Sequence, residues 1–171
     1  GRETPPSEPY NLVVPRSGCP QCGHKISAWE NIPVISYLIL RGRCAGCKTR
    51  ISPQYPLVEL LTAALSVWVI ARFGLSLAGF SALLLTWALI ALSVIDIRHT
   101  LLPDDITLPF LWLGLLLSIL EVHASPVEAI LGAALGYASL YAVFHIFKWI
   151  TGKEGMGFGD FKLFALFGAW L

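Results

Sequence analysis

Two aspartates in apolar surroundings, Asp96 and Asp160, have the clearest capacity for chemistry in this sequence. A carboxylate within or at the end of a membrane span is costly, so each is a functional hypothesis. Asp96 ends an apolar stretch, where a helix dipole disfavours negative charge. Asp160 follows Gly157-Phe158-Gly159, whose glycines let a backbone or a substrate approach closely. Two carboxylates that share a site cannot both ionise easily, which yields an acid and a base able to activate water against an amide.

Position along the helices suggests how the two aspartates divide these roles. Asp160 at a helix N-terminus would be the ionised base, and Asp96 at a helix C-terminus would keep the proton. Asp160 could instead serve as a helix N-cap. For Asp104 and Asp105, by contrast, the N-cap is the interpretation we favour. Glu59, one turn inside an apolar segment, either lines the active cavity or pairs with a nearby Lys or Arg.

The four cysteines form a C-x2-C-x21-C-x2-C array, which predicts a structural zinc site. The ligands would be Cys19, Cys22, Cys44 and Cys47, with Gly23 and Gly46 permitting tight turns around the ion. Two disulfides, a redox pair and the replacement of one ligand by His24 are the alternatives. A zinc ribbon rich in Lys and Arg can bind nucleic acid, but lipid headgroups are the partner we expect.

The elements that must position these residues follow from composition. The chain has 171 residues, 56% of them hydrophobic and 13% charged, which indicates an all-α, polytopic membrane bundle. Residues 1–54 hold all four cysteines and form the predicted zinc-binding head; residues 55–171 form the predicted transmembrane core, truncated at its C-terminus. The Pro-rich start, Thr4–Pro9, is predicted to be disordered. Predicted spans are Pro56–Phe73, Leu75–Ile95, Ile106–Val122 and Val127–Ile150, with a fifth from Phe161.

The distribution of positive charge predicts the orientation of these spans. With the head on one side, the 96–105 and 151–160 loops return to that same side, which then carries eleven of the twelve Lys and Arg residues. Only Arg72 falls on the other side, so the head and both aspartates are predicted to be cytosolic. Gly132 and Gly136 form a small-xxx-small pair that could permit close helix packing or could arise by chance.

Six stretches together resemble the bacterial type IV prepilin leader peptidases, in the right order over nearly the whole chain. They are Asn11–Ser17, the two cysteine pairs, Trp29–Pro33, Tyr55–Glu59, Asp96 with Leu101–Asp104, and Thr151–Lys162. The Gly-x-Gly-Asp element at Gly157–Asp160, together with an upstream membrane aspartate, is specific to this class of protease.

The resemblance implies a multi-pass enzyme of the bacterial inner membrane with Asp96 and Asp160 as its catalytic pair. It would cut the leader from type IV prepilins and from pseudopilins of type II secretion. It would also methylate the new amino terminus with S-adenosylmethionine, although no sequence feature places that second site. Gly157, Gly159 and Glu59 would support the active site.

The sequence also departs from the family pattern. A membrane segment is expected before residue 1 and others after Leu171, so the chain is expected to be a fragment. Gly18 stands where the family often has a basic residue. The competing functions are a non-catalytic membrane scaffold with a zinc head and a methyltransferase alone.

Overall fold

A computed structural model describes residues 18–19, 21–27, 29–30, 32, 34–153 and 155–171. The predictions for Thr4–Pro9 and the Asn11–Ser17 stretch fall outside these residues. Within them the chain is all-helical, as predicted, with two isolated β-bridges and no strand. The helices are α1 (Ile35–Ile39), α2 (Gln54–Phe73), α3 (Leu77–His99), α4 (Asp104–Ser118), α5 (Pro126–Thr151) and α6 (Phe158–Trp170).

The chain divides into two compact units, Gly1–Ala63 and Ala64–Leu171. The first holds the cysteines and the second holds both aspartates. The boundary between head and core that composition predicts, at residues 54 and 55, stays a prediction.

Three of the described helices, α2, α3 and α5, are long and apolar enough to cross a membrane. Helix α4 is shorter than predicted: it ends at Ser118, and its 15 residues rise about 22 Å, below the roughly 30 Å of a bilayer core. A turn follows in which Glu121 takes a left-handed conformation (φ 51°). The predicted end of this segment at Val122 is therefore wrong, because the apolar composition continues past the residue where the helix stops.

Helix α6 is the centre of the second unit and packs between α4 and α5. Phe161 and Leu166 are fully buried, and Trp170 donates a hydrogen bond from Nε1 to the Phe110 carbonyl at 2.8 Å. Ala165 and Ala169 are buried as well, so this one helix supplies five of the twelve buried hydrophobic residues that the structure describes.

Glycines bring α5 and α6 into backbone contact. A Cβ on Gly132 would overlap the Gly168 carbonyl, and one on Gly136 would lie 2.5 Å from the Phe164 carbonyl oxygen. The small-xxx-small prediction for Gly132 and Gly136 is confirmed as a packing face.

The contacts between helices show in which direction α4 and α5 run relative to α6 in the second unit. Helix α4 runs parallel to α6, since Asp104 pairs with Lys162 near their starts and Gly114 contacts Trp170 at the end of α6. Helix α5 runs antiparallel to α6, because Phe144 near its end contacts Phe158 at the start of α6. The end of α3, the starts of α4 and α6, and the end of α5 therefore lie together, as predicted for the 96–105 and 151–160 loops.

Candidate active site and metal centre

Asp160 lies in the first turn of α6 and does not cap it. Gly157 is the N-cap residue, so Asp160 is the third helical residue, and no side chain caps this end. The capping interpretation of Asp160 is wrong for that reason. The Asp160 side chain is half-buried and has no hydrogen-bond or ion-pair partner among residues 34–153 and 155–171. Its carboxylate is thus available for another role, at a helix end that favours negative charge.

Asp96 lies in the last turn of α3, where its backbone carbonyl accepts a hydrogen bond from the Thr100 N–H at 2.7 Å. Its side chain is exposed and, within the described parts of the chain, makes no ion pair. The prediction that Asp96 ends a long apolar helix is confirmed. Its carboxylate therefore has no local structural explanation.

The segment after Asp96 is attached to the start of α6, which carries Asp160. Lys162 binds both carboxylate oxygens of Asp104, with Nζ to Oδ1 at 2.7 Å and Nζ to Oδ2 at 2.6 Å. A Cβ on Gly159 would lie 2.9 Å from the Leu102 Cβ, so only glycine allows this approach. Two contacts, on either side of Asp160 in sequence, thus hold the α3–α4 connection against α6.

The two glycines before Asp160 have different roles. Gly159 packs against Leu102, whereas among the described residues a Cβ on Gly157 would meet the Asp160 Oδ2 alone, at 3.9 Å. The Gly157 backbone is extended (φ −81°, ψ 152°), a conformation open to any residue. No described residue therefore requires glycine at position 157 by packing, and its missing side chain leaves space beside the Asp160 carboxylate.

Sequence reasoning missed the ion pair between Asp104 and Lys162. The N-cap interpretation of Asp104 and Asp105 is wrong, because Pro103 occupies the cap position and makes no side-chain cap. Both aspartates lie in the first turn of α4, where the dipole favours them. Opposite charges near the starts of two apolar helices were the signal that could have suggested the pair.

Glu59 in the first unit accepts a hydrogen bond at 3.4 Å from the Val34 N–H. Its side chain is exposed on α2. Neither of the two predicted roles, lining a cavity or pairing with a cation, is tested by this contact.

The four cysteines of the first unit form a cluster whose Sγ atoms all lie within 4.8 Å of one another. Cys19 and Cys47 are 3.7 Å apart, and Cys22 and Cys44 are 4.0 Å apart. Tetrahedral zinc with Zn–S bonds of about 2.3 Å requires sulfurs about 3.8 Å apart, so the donors fit the ion. The disulfide alternative is wrong, because all four thiols are free and a disulfide requires sulfurs about 2.05 Å apart.

Two matching turns present the thiols. An antiparallel bridge closes each one, Gly18 with Lys25 and Arg43 with Arg50. Gly23 takes the left-handed conformation after Cys22 (φ 69°), and Lys48, not Gly46, takes it after Cys47 (φ 60°). Gly46 instead makes room for the His24 ring, since a Cβ there would lie 3.1 Å from the His24 Cβ.

His24 lies outside the thiol cluster. Its Nε2 is 3.2 Å from Oε1 of Glu30, and the other carboxylate oxygen of Glu30, Oε2, accepts a hydrogen bond from the Ser27 N–H at 2.7 Å. The Ser27 hydrogen bond and the histidine together lower the pKa of Glu30. This contact couples the segment after the first turn to the cysteine cluster.

Hydrogen bonds and close neighbouring thiols give Cys47 and Cys22 different pKa values. Hydrogen bonding with the Thr49 side chain and backbone lowers the pKa of Cys47 to about 6. At Cys22 a hydrogen bond with the His24 backbone acts in the same direction, but the neighbouring thiols and burial outweigh it and raise the pKa to about 11. Four thiolates this close require a cation, so metal binding would release protons and weaken as pH falls.

The fold and the sites together define a membrane protein with a four-cysteine cluster that could hold a metal ion and with two aspartates, Asp96 and Asp160, that have no ion-pair partner among the described residues. Family models match both parts of the chain. Residues 83–171 match the Type IV leader peptidase family, and residues 3–73 match the Bacterial Peptidase A24 N-terminal domain. The chain belongs to the Type IV leader peptidase family.

Curated relatives carry the name prepilin leader peptidase/N-methyltransferase. One from Pseudomonas aeruginosa is 55% identical over 166 residues, which cover 97% of this chain and 57% of that protein. One from Stutzerimonas stutzeri is 53% identical over 169 residues, covering 96% of this chain and 58% of the relative. The chain thus spans little more than half the length of these relatives. No solved structure matches it.

Proposed function

We propose that this chain is part of a membrane aspartyl endopeptidase that cleaves the leader of type IV prepilins and of type II secretion pseudopilins. Asp96 and Asp160 would be its catalytic pair. The observation that carries this proposal is the attachment of the segment after Asp96 to the start of α6, through Lys162–Asp104 and Gly159–Leu102. It holds the segment that follows Asp96 against the helix that carries Asp160, which supports a site shared by the two residues.

The chemistry follows from two carboxylates of unequal character. The ionised one, assigned to Asp160 in the first turn of α6, would take a proton from water as the water attacks the scissile carbonyl. The protonated one, assigned to Asp96, would donate a hydrogen bond to the carbonyl oxygen and then a proton toward the leaving amine. The opposite helix ends at which they lie support this division of roles.

The location suits a substrate anchored by an apolar helix. Arg98, Lys148, Lys153 and Lys162 lie at the Asp end of the second unit, and Arg72 lies at the other. This asymmetry supports a bacterial inner-membrane protein with both aspartates at the cytosolic surface, where a prepilin would present its leader junction. Asp104 is committed to Lys162, which leaves Asp105, exposed in the same turn, as an acidic group that could receive a basic leader.

Two cofactors belong to the proposal. Zinc would be held by Cys19, Cys22, Cys44 and Cys47 as a structural ion, since four thiolates leave no open coordination position. S-adenosylmethionine would be the methyl donor for the new amino terminus, on the strength of the methyltransferase name that the relatives carry. The supporting residues would be Gly157, Gly159 and Glu59.

Cleavage and methylation of a prepilin in membranes would test the assignment. Asp96→Asn and Asp160→Asn should each abolish cleavage, whereas Asp105→Asn, which removes an exposed carboxylate at the same end that has no role in the chemistry, should still cleave at saturating substrate and at most bind a basic leader more weakly. Cleavage that survives in either catalytic variant would refute the aspartyl protease mechanism. Methylation of a pre-cleaved substrate by both variants would show a separate second site.

A further inference from the structure

A cavity of about 570 Å³ opens in the first unit, beside the second cysteine turn. Three arginines line it together with the hydroxyl-bearing Tyr37 and Ser52; they are Arg41, Arg43 and Arg50. None of the proposed catalytic or zinc-binding residues belongs to this lining. The cavity is therefore separate from both sites described above.

The backbone forces two of these arginines together. Arg43 and Arg50 form an antiparallel bridge, and directly paired residues in such a bridge project from the same face with Cβ atoms about 5 Å apart. Like charges in that arrangement destabilise the pair. The equivalent bridge of the first cysteine turn pairs Gly18 with Lys25 and has no such repulsion.

Acidic groups that could offset this charge are used elsewhere in the described part of the first unit. Glu30 pairs with His24, and Glu59 accepts a hydrogen bond from Val34. The three arginines form no ion pair with any residue that the structure describes there. An anion from outside the protein would remove the repulsion that the bridge imposes.

Tyr37 gives the cavity a fixed wall. Its ring packs against Gly42, where a Cβ would lie 2.8 Å from the ring, and Gly42 takes a left-handed conformation (φ 66°). The Gly42 N–H donates to the Tyr37 carbonyl, and the Ile51 N–H donates to the Gly42 carbonyl, both at 2.8 Å. The wall and the arginine-bearing turn are thus joined by backbone hydrogen bonds.

We propose that this cavity binds a phosphate group, with Arg43 and Arg50 as its principal ligands and Arg41 as a third. A guanidinium presents paired N–H donors that match phosphate oxygens, and two of them on one face can share a single group. The proposal does not depend on the proteolytic function.

The source of phosphate that the surroundings favour is an anionic phospholipid headgroup. The last lining residue, Pro53, directly precedes α2, which is apolar enough to cross a membrane. Leu38 and Ile39, next to Tyr37 in α1, are 68% and 75% exposed. Basic side chains beside exposed apolar ones are typical of a segment that rests in a membrane interface.

The experiment has two arms, one for each source of phosphate. Protein in a phosphate-free detergent would be titrated with inorganic phosphate by calorimetry. Protein in detergent would be mixed with phosphatidylglycerol, and the bound lipid would be counted by native mass spectrometry. The variants are Arg43→Gln and Arg50→Gln, with Lys25→Gln as the control, because it removes a charge from the equivalent bridge of the other turn.

Each arginine variant should lose about tenfold in affinity, the usual effect of removing a charged hydrogen-bond donor, and Lys25→Gln should bind as the wild type does. Without anions, Arg50→Gln should unfold at the same or a higher temperature than the wild type, so weak binding would not reflect misfolding. Retention of phosphatidylglycerol assigns the site to headgroups, and binding of inorganic phosphate alone assigns it to free phosphate. Failure of both ligands to bind, or an equal loss in Lys25→Gln, would overturn the proposal.

Discussion

Replacement of Gly136 by alanine tests whether the contact of α5 with α6 positions the catalytic site. The new Cβ would lie 2.5 Å from the Phe164 carbonyl oxygen, and ordinary van der Waals contact begins at 3.4 Å. The obstacle is helix backbone, which cannot rotate away as a flexible side chain can. Helix α6 must therefore shift by about 0.9 Å at Phe164, the difference between these two distances.

That shift falls close to the proposed catalytic residue. Asp160 lies one helical turn before Phe164, about 6 Å along α6. Misplacement of a catalytic group by about 1 Å costs roughly 100-fold in rate. Overpacking costs about 1–3 kcal/mol of stability, but alanine regains up to about 1 kcal/mol of helix propensity. We therefore expect Gly136→Ala to cleave prepilin about 100-fold more slowly while it unfolds only a little more easily.

The assay is the rate of leader removal from a prepilin in membranes, measured beside the thermal unfolding midpoint of the purified protein. Ala134→Leu is the matched control, because it adds a larger side chain to an exposed position of the same helix. It should change neither quantity. Wild-type cleavage in Gly136→Ala would refute the close contact of the helices and its link to Asp160.

Three further predictions concern individual contacts. Asp104→Lys and Lys162→Asp should each slow cleavage by about two- to fivefold, since the ion pair is partly exposed and contributes about 0.5–1 kcal/mol. The double exchange should restore the rate of cleavage. If the rate does not recover, the ion pair does not position α6. His123, between α4 and α5, forms a hydrogen bond of 2.8 Å between its Nε2 and the Ser81 Oγ, and burial lowers the pKa of the imidazole. The stability it contributes is complete above the ordinary histidine value of about 6.5 and is lost as pH falls through the lowered pKa, so the unfolding midpoint should drop at acidic pH in the wild type and less in His123→Gln. Metal analysis should find one zinc ion per chain, and the ion should be released more readily as pH falls, because protons compete for the thiolates. The Cys44→Ser variant should lose the metal. Zinc that stays bound to this variant would exclude the four-cysteine site.

Local sequence signals predict most of this fold because the relevant physics is local. Long apolar runs identify α2, α3 and α5, and the spacing of Gly132 and Gly136 predicts the face that meets α6. The spacing of the cysteines predicts the thiol cluster, because each closely spaced pair can share one ion.

The errors arise where tertiary contacts or turn geometry decide. Asp104 and Asp160 look like caps in sequence, but Pro103 and Gly157 begin the helices and shift both carboxylates inside the first turn. The pairing of Asp104 with Lys162 joins positions 58 residues apart. It depends on α4 and α6 running side by side, which no local pattern encodes. The role of Gly159 is visible only once Leu102 lies against it.

Thr100 links backbone strain to the position of Asp96. It ends α3 in the left-handed conformation (φ 49°, ψ 43°), which is unusual for a β-branched residue. Such strain is kept only where the surroundings impose it, and it costs about 1–3 kcal/mol. Its N–H donates to the Asp96 carbonyl at 2.7 Å, so the strained residue fixes the turn that carries the carboxylate.

If that strain serves the site, its removal should separate stability from activity. Thr100→Gly relieves the left-handed strain but frees the segment between Asp96 and Leu102, so we expect a similar or higher unfolding midpoint together with slower prepilin cleavage. Gly74 lies at the other end of the unit and has a left-handed backbone (φ 68°). The reverse substitution there, Gly74→Thr, introduces the same strain far from Asp96, so it should lower stability with less effect on cleavage. Faster or unchanged cleavage in Thr100→Gly would mean that this turn contributes nothing to the placement of Asp96.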